Sequence, residues 1–449
     1  MKDTFGYSSP QRVTSQRDIR VEFPGKNLTK FGGIQLLRKF LGRLKIKEEL
    51  ESGVPIKKRD RKFPVGGMLI CLLYAITLDL KRQSDTLMLR LDKVFQKIAG
   101  LDHYPTQSTI SRFLKGFRVE TAKGIAKVNQ KILKRERRNF EGWRKITLDL
   151  DSHVKTAYGQ QQRASVGYNP KKPGRSSFHP LFCFIGKARD FLHGMFRTGK
   201  AHTSRGVKRF IYECLKMIPD GIREIYLRAD AGFYDSDLLD YLEQKGIRYT
   251  IVVKLYPWIQ MELVGVEYRD IGGGLSVGEM WYTGIGWKKP RRMVAIREQE
   301  RAYKRRKKQP TLFEIIGYSY QIIVTNIEEM SPEQLWRFYN GRANVENMIK
   351  EGIMSYSLDV NISHFYGANV AHFHLVMLAY NLMNLFKELV LGQKDMKRME
   401  KWIRQRFFLI AGKLTKSGGK FILKLQEDWA YKEEYNEAER NLESSAWAT

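Results

Sequence analysis

Leu148-Asp149-Leu150-Asp151-Ser152, Leu227-Arg228-Ala229-Asp230-Ala231-Gly232-Phe233-Tyr234 and Tyr339-Asn340-Gly341-Arg342-Ala343-Asn344-Val345-Glu346-Asn347-Met348-Ile349-Lys350 decide the fold when read together. The first two read as strands that end in a carboxylate, the third as a helix. At about 100° per residue, Tyr339, Arg342, Glu346 and Lys350 fall in one stripe of that helix. Two acids at strand ends and one on a helix form a donor set that two divalent metals need to hold an attacking and a leaving oxygen at a phosphodiester.

Each piece alone has an ordinary explanation. Arg342 with Glu346 and Glu346 with Lys350 are i,i+4 pairs of the kind that line solvated helix faces. Strand-end aspartates commonly satisfy turn amides. The specificity lies in the combination and in its order, Asp, Asp, Glu.

That ordered set resembles the cut-and-paste DDE transposases of bacterial insertion sequences, in the branch with a Tyr-x2-Arg-x3-Glu signature and a strand-rich insertion ahead of the catalytic Glu. The matching pieces are Asp151-Ser152, Asp230-Ala231-Gly232-Phe233 and Tyr339-x2-Arg342-x3-Glu346, with Gly167-Tyr168-Asn169-Pro170-Lys171-Lys172-Pro173-Gly174-Arg175 in support. The likeness runs from about residue 145 to beyond 386. It implies an α/β ribonuclease-H-like catalytic core with a β-rich insertion, flanked by an N-terminal helical DNA-binding region and C-terminal helices. In that fold the first carboxylate sits on the first strand and the second near the end of the fourth.

The resemblance further implies that Asp151, Asp230 and Glu346 are catalytic and hold two metal ions, with Asp149 as the alternative first ligand. All-oxygen carboxylate sites favour hard cations, so Mg²⁺ is expected, with Mn²⁺ able to substitute. Tyr339 and Arg342 would bind phosphate near the scissile bond, with Lys350 as a helper. Ile353 stands where family members often carry a Lys, seven residues after the Glu.

Composition points to the same partner. The chain has 449 residues, with 79 Lys and Arg against 48 Asp and Glu, a net charge of +31. Such an excess costs self-repulsion unless a polyanion offsets it, so double-stranded DNA, as element ends and target, is the expected partner. Joining two ends implies a homodimer in the active complex. Cys71, Cys183 and Cys214 are widely spaced, which fits neither a disulfide framework nor a zinc site. No apolar leader is visible at the N-terminus, and the apolar run 68–78 is too short to cross a bilayer. A cytoplasmic, nucleoid-associated bacterial protein is expected. His372 and His374, two apart on a helix, diverge by about 200° and cannot share a metal there.

Along the chain, residues 1–31 read as a basic arm and 32–142 as a helical DNA-binding region, with i, i+3, i+4 patterns at Ile34, Leu37, Phe40, Leu41 and Leu44 and at Leu87, Leu91, Val94, Phe95 and Ile98. The segment from Pro105 to Lys115 puts Ile110, Phe113 and Leu114 on one face and leaves Gln107, Ser108, Ser111, Arg112 and Lys115 elsewhere. It is either a recognition helix or an ordinary capped surface helix. Residues 143–254 read as the first part of the catalytic core and 321–391 as the second.

Residues 255–320 read as the β-rich insertion, in which the run 284–308 is heavily basic, including Arg291-Arg292 and Lys304-Arg305-Arg306-Lys307-Lys308. Its loops, with Arg305, Arg306, Lys307 and Lys308, are expected along DNA phosphates, as are Lys171, Lys172 and Arg175. Trp258, Trp281 and Trp287 are candidates either for stacking on an extruded base or for core packing. Residues 392–449 read as a C-terminal helical region. The competing functions are a metal-dependent nuclease or resolvase on the same fold, and a DNA-binding protein derived from a transposase.

Overall fold

The alternation in Lys145–Ser152 makes the strand on which the central sheet is laid, β1. The computed structural model describes residues 21–56, 62–136, 143–202, 205–218, 221–299 and 317–444. Around β1 lie β2 (Leu181–Ile185), β3 (Asp190–Met195), β4 (Glu224–Ala229) and β5 (Arg248–Val252), in the spatial order β3-β2-β1-β4-β5. β1, β2 and β3 pair antiparallel as consecutive neighbours, whereas β1, β4 and β5 are parallel. Parallel neighbours need crossover connections. Helices α1 (Val207–Leu215) and α2 (Ser236–Gln244) supply them.

The chain then adds β6 (Arg269–Gly272), β7 (Leu275–Tyr282), β8 (Arg291–Gln299) and β9 (Tyr318–Thr325), all antiparallel, with β9 pairing back onto β5. Gly272, Gly273 and Gly274, at φ of 87°, 67° and 80°, turn β6 into β7 where an L side chain would be strained. Among the described residues this makes one nine-stranded mixed sheet. The described strands of the segment expected at 255–320 therefore form the far half of the same sheet, not a separate layer.

Both faces of the sheet are covered. Ile146, Leu148 and Leu150 of β1 pack with Phe210 of α1 and Leu238 and Leu239 of α2. On the other face, Phe182 and Phe191 meet Phe373 and Tyr380, at centroid distances of 5.5 and 5.0 Å. Those partners sit on α5 (Tyr366–Phe386), which follows α3 (Pro332–Asn340) and α4 (Ala343–Tyr356). α5 is buried along nearly its whole length, as the apolar run from 370 to 391 predicts, and it passes into a π-helical turn at Lys387–Leu391. No helix among the described residues is long and apolar enough to cross a membrane.

The N-terminal region is helical, at Ile34–Arg43, Ile46–Gly53, Val65–Thr77, Gln107–Lys115 and Val119–Glu136. The pattern from Leu87 to Ile98 is two short helices, because Asp92 interrupts it and caps the second by accepting the Phe95 N–H at 2.7 Å. One strand goes unannounced and one expectation is corrected. Strand β3 has no alternation to announce it, since nearly all of its residues are buried. The C-terminal stretch expected to be helical contains a hairpin, Gly412–Ser417 and Lys420–Leu425, before a final helix at Lys432–Glu443. Gly418 and Gly419, at φ of 55° and 77°, provide its turn.

Candidate active site

β1 and β4 run parallel in a register that sets Asp149 beside Arg228. Asp149 is fully buried, and both of its oxygens are taken by Arg228, Nε to Oδ1 at 2.6 Å and Nη2 to Oδ2 at 2.8 Å. The remaining Nη1 donates to the Phe338 carbonyl at 2.6 Å, in the last turn of α3. Removing two charges from water is expensive, and bidentate geometry with a third acceptor is what offsets it.

This pair explains why the helix expected across residues 339–350 is broken. In a continuous helix the Arg342 N–H would bond to the Phe338 carbonyl. The two lone pairs of that carbonyl are taken by Arg228 and, at 3.3 Å, by the Gly341 N–H, and the Arg342 N–H turns instead to Tyr339 O at 2.9 Å. α3 therefore ends at Asn340 and α4 starts at Ala343. Gly341 lies between them, where a Cβ would run into Arg228 Nη1.

Two residues further along each strand come Asp151 and Asp230. Asp151 is 7 % exposed and accepts the Ser152 N–H at 2.7 Å. Asp230 leaves the end of β4 and caps the turn Ala231–Phe233, accepting the Gly232 N–H at 2.9 Å. The Arg342 guanidinium reaches both, with Nη2 3.2 Å from Asp151 Oδ2 and 3.8 Å from Asp230 Oδ2. Its Nη1 is 4.0 Å from Glu346 Oε1, and its Nε faces Leu150 O at 3.4 Å. One cation thus gathers three carboxylates that lie far apart in the sequence. Burial pushes the Asp151 carboxyl up to about 6, against the pull of Arg342, with the neighbouring Asp230 and Glu346 charges adding to the rise.

Among the described residues no three His, Cys, Asp or Glu side chains already converge on a common centre. The residues nevertheless suit a hard divalent cation in their chemistry, since all three are carboxylates and each lies within 4.0 Å of one guanidinium. The Asp230 and Glu346 side chains are 41 % and 73 % exposed, which leaves them room to turn inward.

The other predicted residues fall in different places. Tyr339 is buried in an apolar cluster with Tyr226, Val294 and Ile323, within electrostatic reach of Arg342, Asp230 and Asp151. Lys350 is exposed on α4, and Ile353 packs partly against the core. On the helix Gln107–Lys115 the faces are as expected: Ile110, Phe113 and Leu114 are buried, while Gln107, Ser108, Ser111, Arg112 and Lys115 are exposed. A cleft lined by Arg82, Gln107, Ser108, Ser111 and Asn361 links that helix to the segment following α4. Lys171, Lys172 and Arg175 are exposed in a turn held by Asn169, whose side chain accepts the Lys172 N–H at 3.1 Å.

The basic run divides. Arg291 and Arg292 stand on β8, inside the sheet, and need carboxylates there. Arg291 pairs with Asp240 and, at 2.7 Å, with Glu243; Arg292 meets Glu279 at 2.6 Å. Both are buried and paired within the sheet, so this part of the basic run does not belong to the loops expected along phosphates. Arg305, Arg306, Lys307 and Lys308 lie outside the described residues, as does the arm up to residue 20. Trp281 is 62 % exposed, and Trp258 is 47 % exposed and stacked on Tyr256 at 4.8 Å. Trp287 is half-buried against Tyr234 and Tyr282, with Arg291 4.7 Å above its ring.

No sequence motif assigns a role to Arg228, although the sequence carries a signal for one. Both strand motifs carry a charged residue two places before the terminal aspartate, Asp149 in one and Arg228 in the other. Side chains two apart share a face, so a pair of opposite charges on parallel neighbours was available to be found.

The family model described as "Transposase DDE domain group 1" matches residues 11–447. No curated protein matches the chain. A solved structure, the cryo-EM synaptic complex of piggyBac transposase with hairpin DNA, is similar at a TM-score of 0.45 and 12 % identity, covering 82 % of this chain and 78 % of that one.

Replacing Arg228 by Met strands a buried Asp149 charge and should cost about 3–5 kcal/mol of unfolding free energy. The double change Asp149→Leu with Arg228→Met should recover a large part of that loss. Urea denaturation of the wild type, the single and the double variant checks this; a single variant as stable as the wild type would refute the pair.

Proposed function

The chain belongs to the family of DDE transposase domains, group 1, and from that premise we propose that it cuts DNA at the ends of a mobile element and joins them to target DNA. Asp151, Asp230 and Glu346 are the catalytic carboxylates and would hold two Mg²⁺ ions, replaceable by Mn²⁺. The observation that carries this reading is the single Arg342 guanidinium lying 4.0 Å or less from all three carboxylates. Ions held there would act as Lewis acids, activating the attacking oxygen and stabilising the leaving one. Cleavage adds water across a P–O bond and leaves a 3′-hydroxyl; joining uses that hydroxyl to displace a P–O bond in the target.

The core is ribonuclease-H-like in this reading. In support, the first carboxylate lies on the first strand of the central sheet and the second directly follows the fourth, with three antiparallel and two added parallel strands. Asp149 is a positioning residue here, because both of its oxygens are committed to Arg228. Arg342 restrains the carboxylates in the resting protein and offers a planar fork suited to phosphate. Tyr339 braces Arg342 from the apolar side, and Lys350 extends the basic surface along α4.

Duplex DNA would meet the exposed Gln107, Ser108 and Arg112 and the turn bearing Lys171, Lys172 and Arg175. Because phosphate contacts carry no sequence information, recognition of the ends falls to the N-terminal helices. Two protomers act together, one per element end, in the cytoplasm of a bacterial cell at its nucleoid.

With element-end DNA and Mg²⁺ or Mn²⁺, the wild type should give cleaved and joined products, and none after chelation of the metal. Asp230→Ala and Glu346→Ala should abolish both products while keeping DNA binding within a few-fold. Cleavage without joining would make the protein a nuclease or resolvase, a mobility shift alone a DNA-binding derivative, and full cleavage by either variant would remove the triad.

The exposed Trp281 is the residue we assign to grip an extruded base, a contact worth roughly 1–3 kcal/mol. Trp281→Ala should keep its melting temperature, make the first nick and stall there. Trp287→Ala should instead melt earlier. A Trp281→Ala protein that completes joining at the normal rate refutes the assignment.

A further inference from the structure

The C-terminal hairpin carries a charge arrangement that folding alone does not explain. Its register sets Lys413 directly opposite Lys424, Thr415 opposite Ile422 and Ser417 opposite Lys420. Alternation places these six residues on one face, while Leu414, Leu423 and Leu425 turn the other face onto the helical core. Lys413, Lys420 and Lys424 are exposed, and among the described residues none of them forms an ion pair. The stretch from Gly412 to Leu425 holds four lysines and no Asp or Glu.

Like charges directly opposite each other destabilise a strand pair. Lysines on an edge strand can be explained as protection against pairing with another chain, and Lys420–Leu425 is the outer strand of its sheet. That explanation fails for Lys413. Its strand is the middle one, with Leu28 paired on one side and Lys424 on the other. A polyanion lying across the ribbon accounts for lysines on both strands at once. The ribbon is also held in place, because Leu414, Leu423 and Leu425 pack on the core and the half-exposed Phe421 has the Lys97 ammonium 3.9 Å from its ring centre.

We propose that this ribbon is a sequence-independent contact to the backbone of duplex DNA, made by Lys413, Lys420 and Lys424. The inference rests on the DNA-processing reading above and adds to it a surface away from the three carboxylates. Lysines act as point charges on phosphate, and contacts of that kind carry no sequence information.

The test is binding of the full chain to duplexes of unrelated sequence, measured across a range of salt. Changing Lys413, Lys420 and Lys424 together to Ser should weaken binding to all duplexes alike and flatten the log–log salt slope by roughly 0.9 per lost phosphate contact. Ile422→Lys, which removes nothing from the core, should steepen the slope by about the same amount. If the triple variant folds poorly, Ile422→Lys decides. Slopes unchanged in both variants, with the wild type still bound, overturn the ribbon and leave the proposed function standing. Loss of solubility with an unchanged slope assigns the lysines to edge protection and also overturns it. A wild type that binds no duplex overturns both readings.

Discussion

The buried pair of Asp149 and Arg228 is the interaction on which the site depends. It joins neighbouring parallel strands at the same level, and two places further on come Asp151, still within β1, and Asp230, just past the end of β4. The same guanidinium takes the Phe338 carbonyl, which stops α3 one residue before Gly341 and lets α4 restart from Arg342. A single buried cation thus fixes two strands and one helix junction. These are the elements from which the three carboxylates project.

Arg342 solves a second problem. Three carboxylates near one another repel, and burial of Asp151 adds to the cost. A guanidinium within 4.0 Å of each supplies the counter-charge in the resting protein. Asp151 is held firmly by its strand and a backbone N–H, whereas Glu346 is mostly exposed on the first turn of α4. The rigid and the adaptable carboxylate are therefore supplied by different elements, a strand and a helix terminus.

Much of this was legible in the sequence. Strand β1, the crossover helices, the apolar helix α5 and the two faces of the helix Gln107–Lys115 follow from periodicity and capping. The sequence favours Asp151 over Asp149 from its place at the strand's end, and the commitment of both Asp149 oxygens to Arg228 supports that proposal. What could not be read arises from contacts between distant segments. The break at Gly341 is caused by Arg228, more than a hundred residues earlier in the chain. Arg291 and Arg292 look like free basic residues until Asp240, Glu243 and Glu279 fold against them. Strand β3 lacks alternation because both faces of the sheet are covered, and its backbone is secured at Phe191, whose N–H and C=O both bond to the side chain of Asn381 at 2.8 Å. The hairpin at the C-terminus is a strand pair in a lysine-rich stretch, where only Gly418-Gly419 marks the turn.

The most direct test of the account compares Asp149→Asn with Asp151→Asn for Mn²⁺ binding and for metal-dependent cleavage of element-end DNA, at a temperature where both variants are folded. Asp149→Asn should be less stable yet bind Mn²⁺ and retain measurable cleavage, because its carboxylate only positions Arg228. Asp151→Asn should lose both. An active Asp151→Asn beside an inactive, folded Asp149→Asn would contradict the account and move the metal site to Asp149.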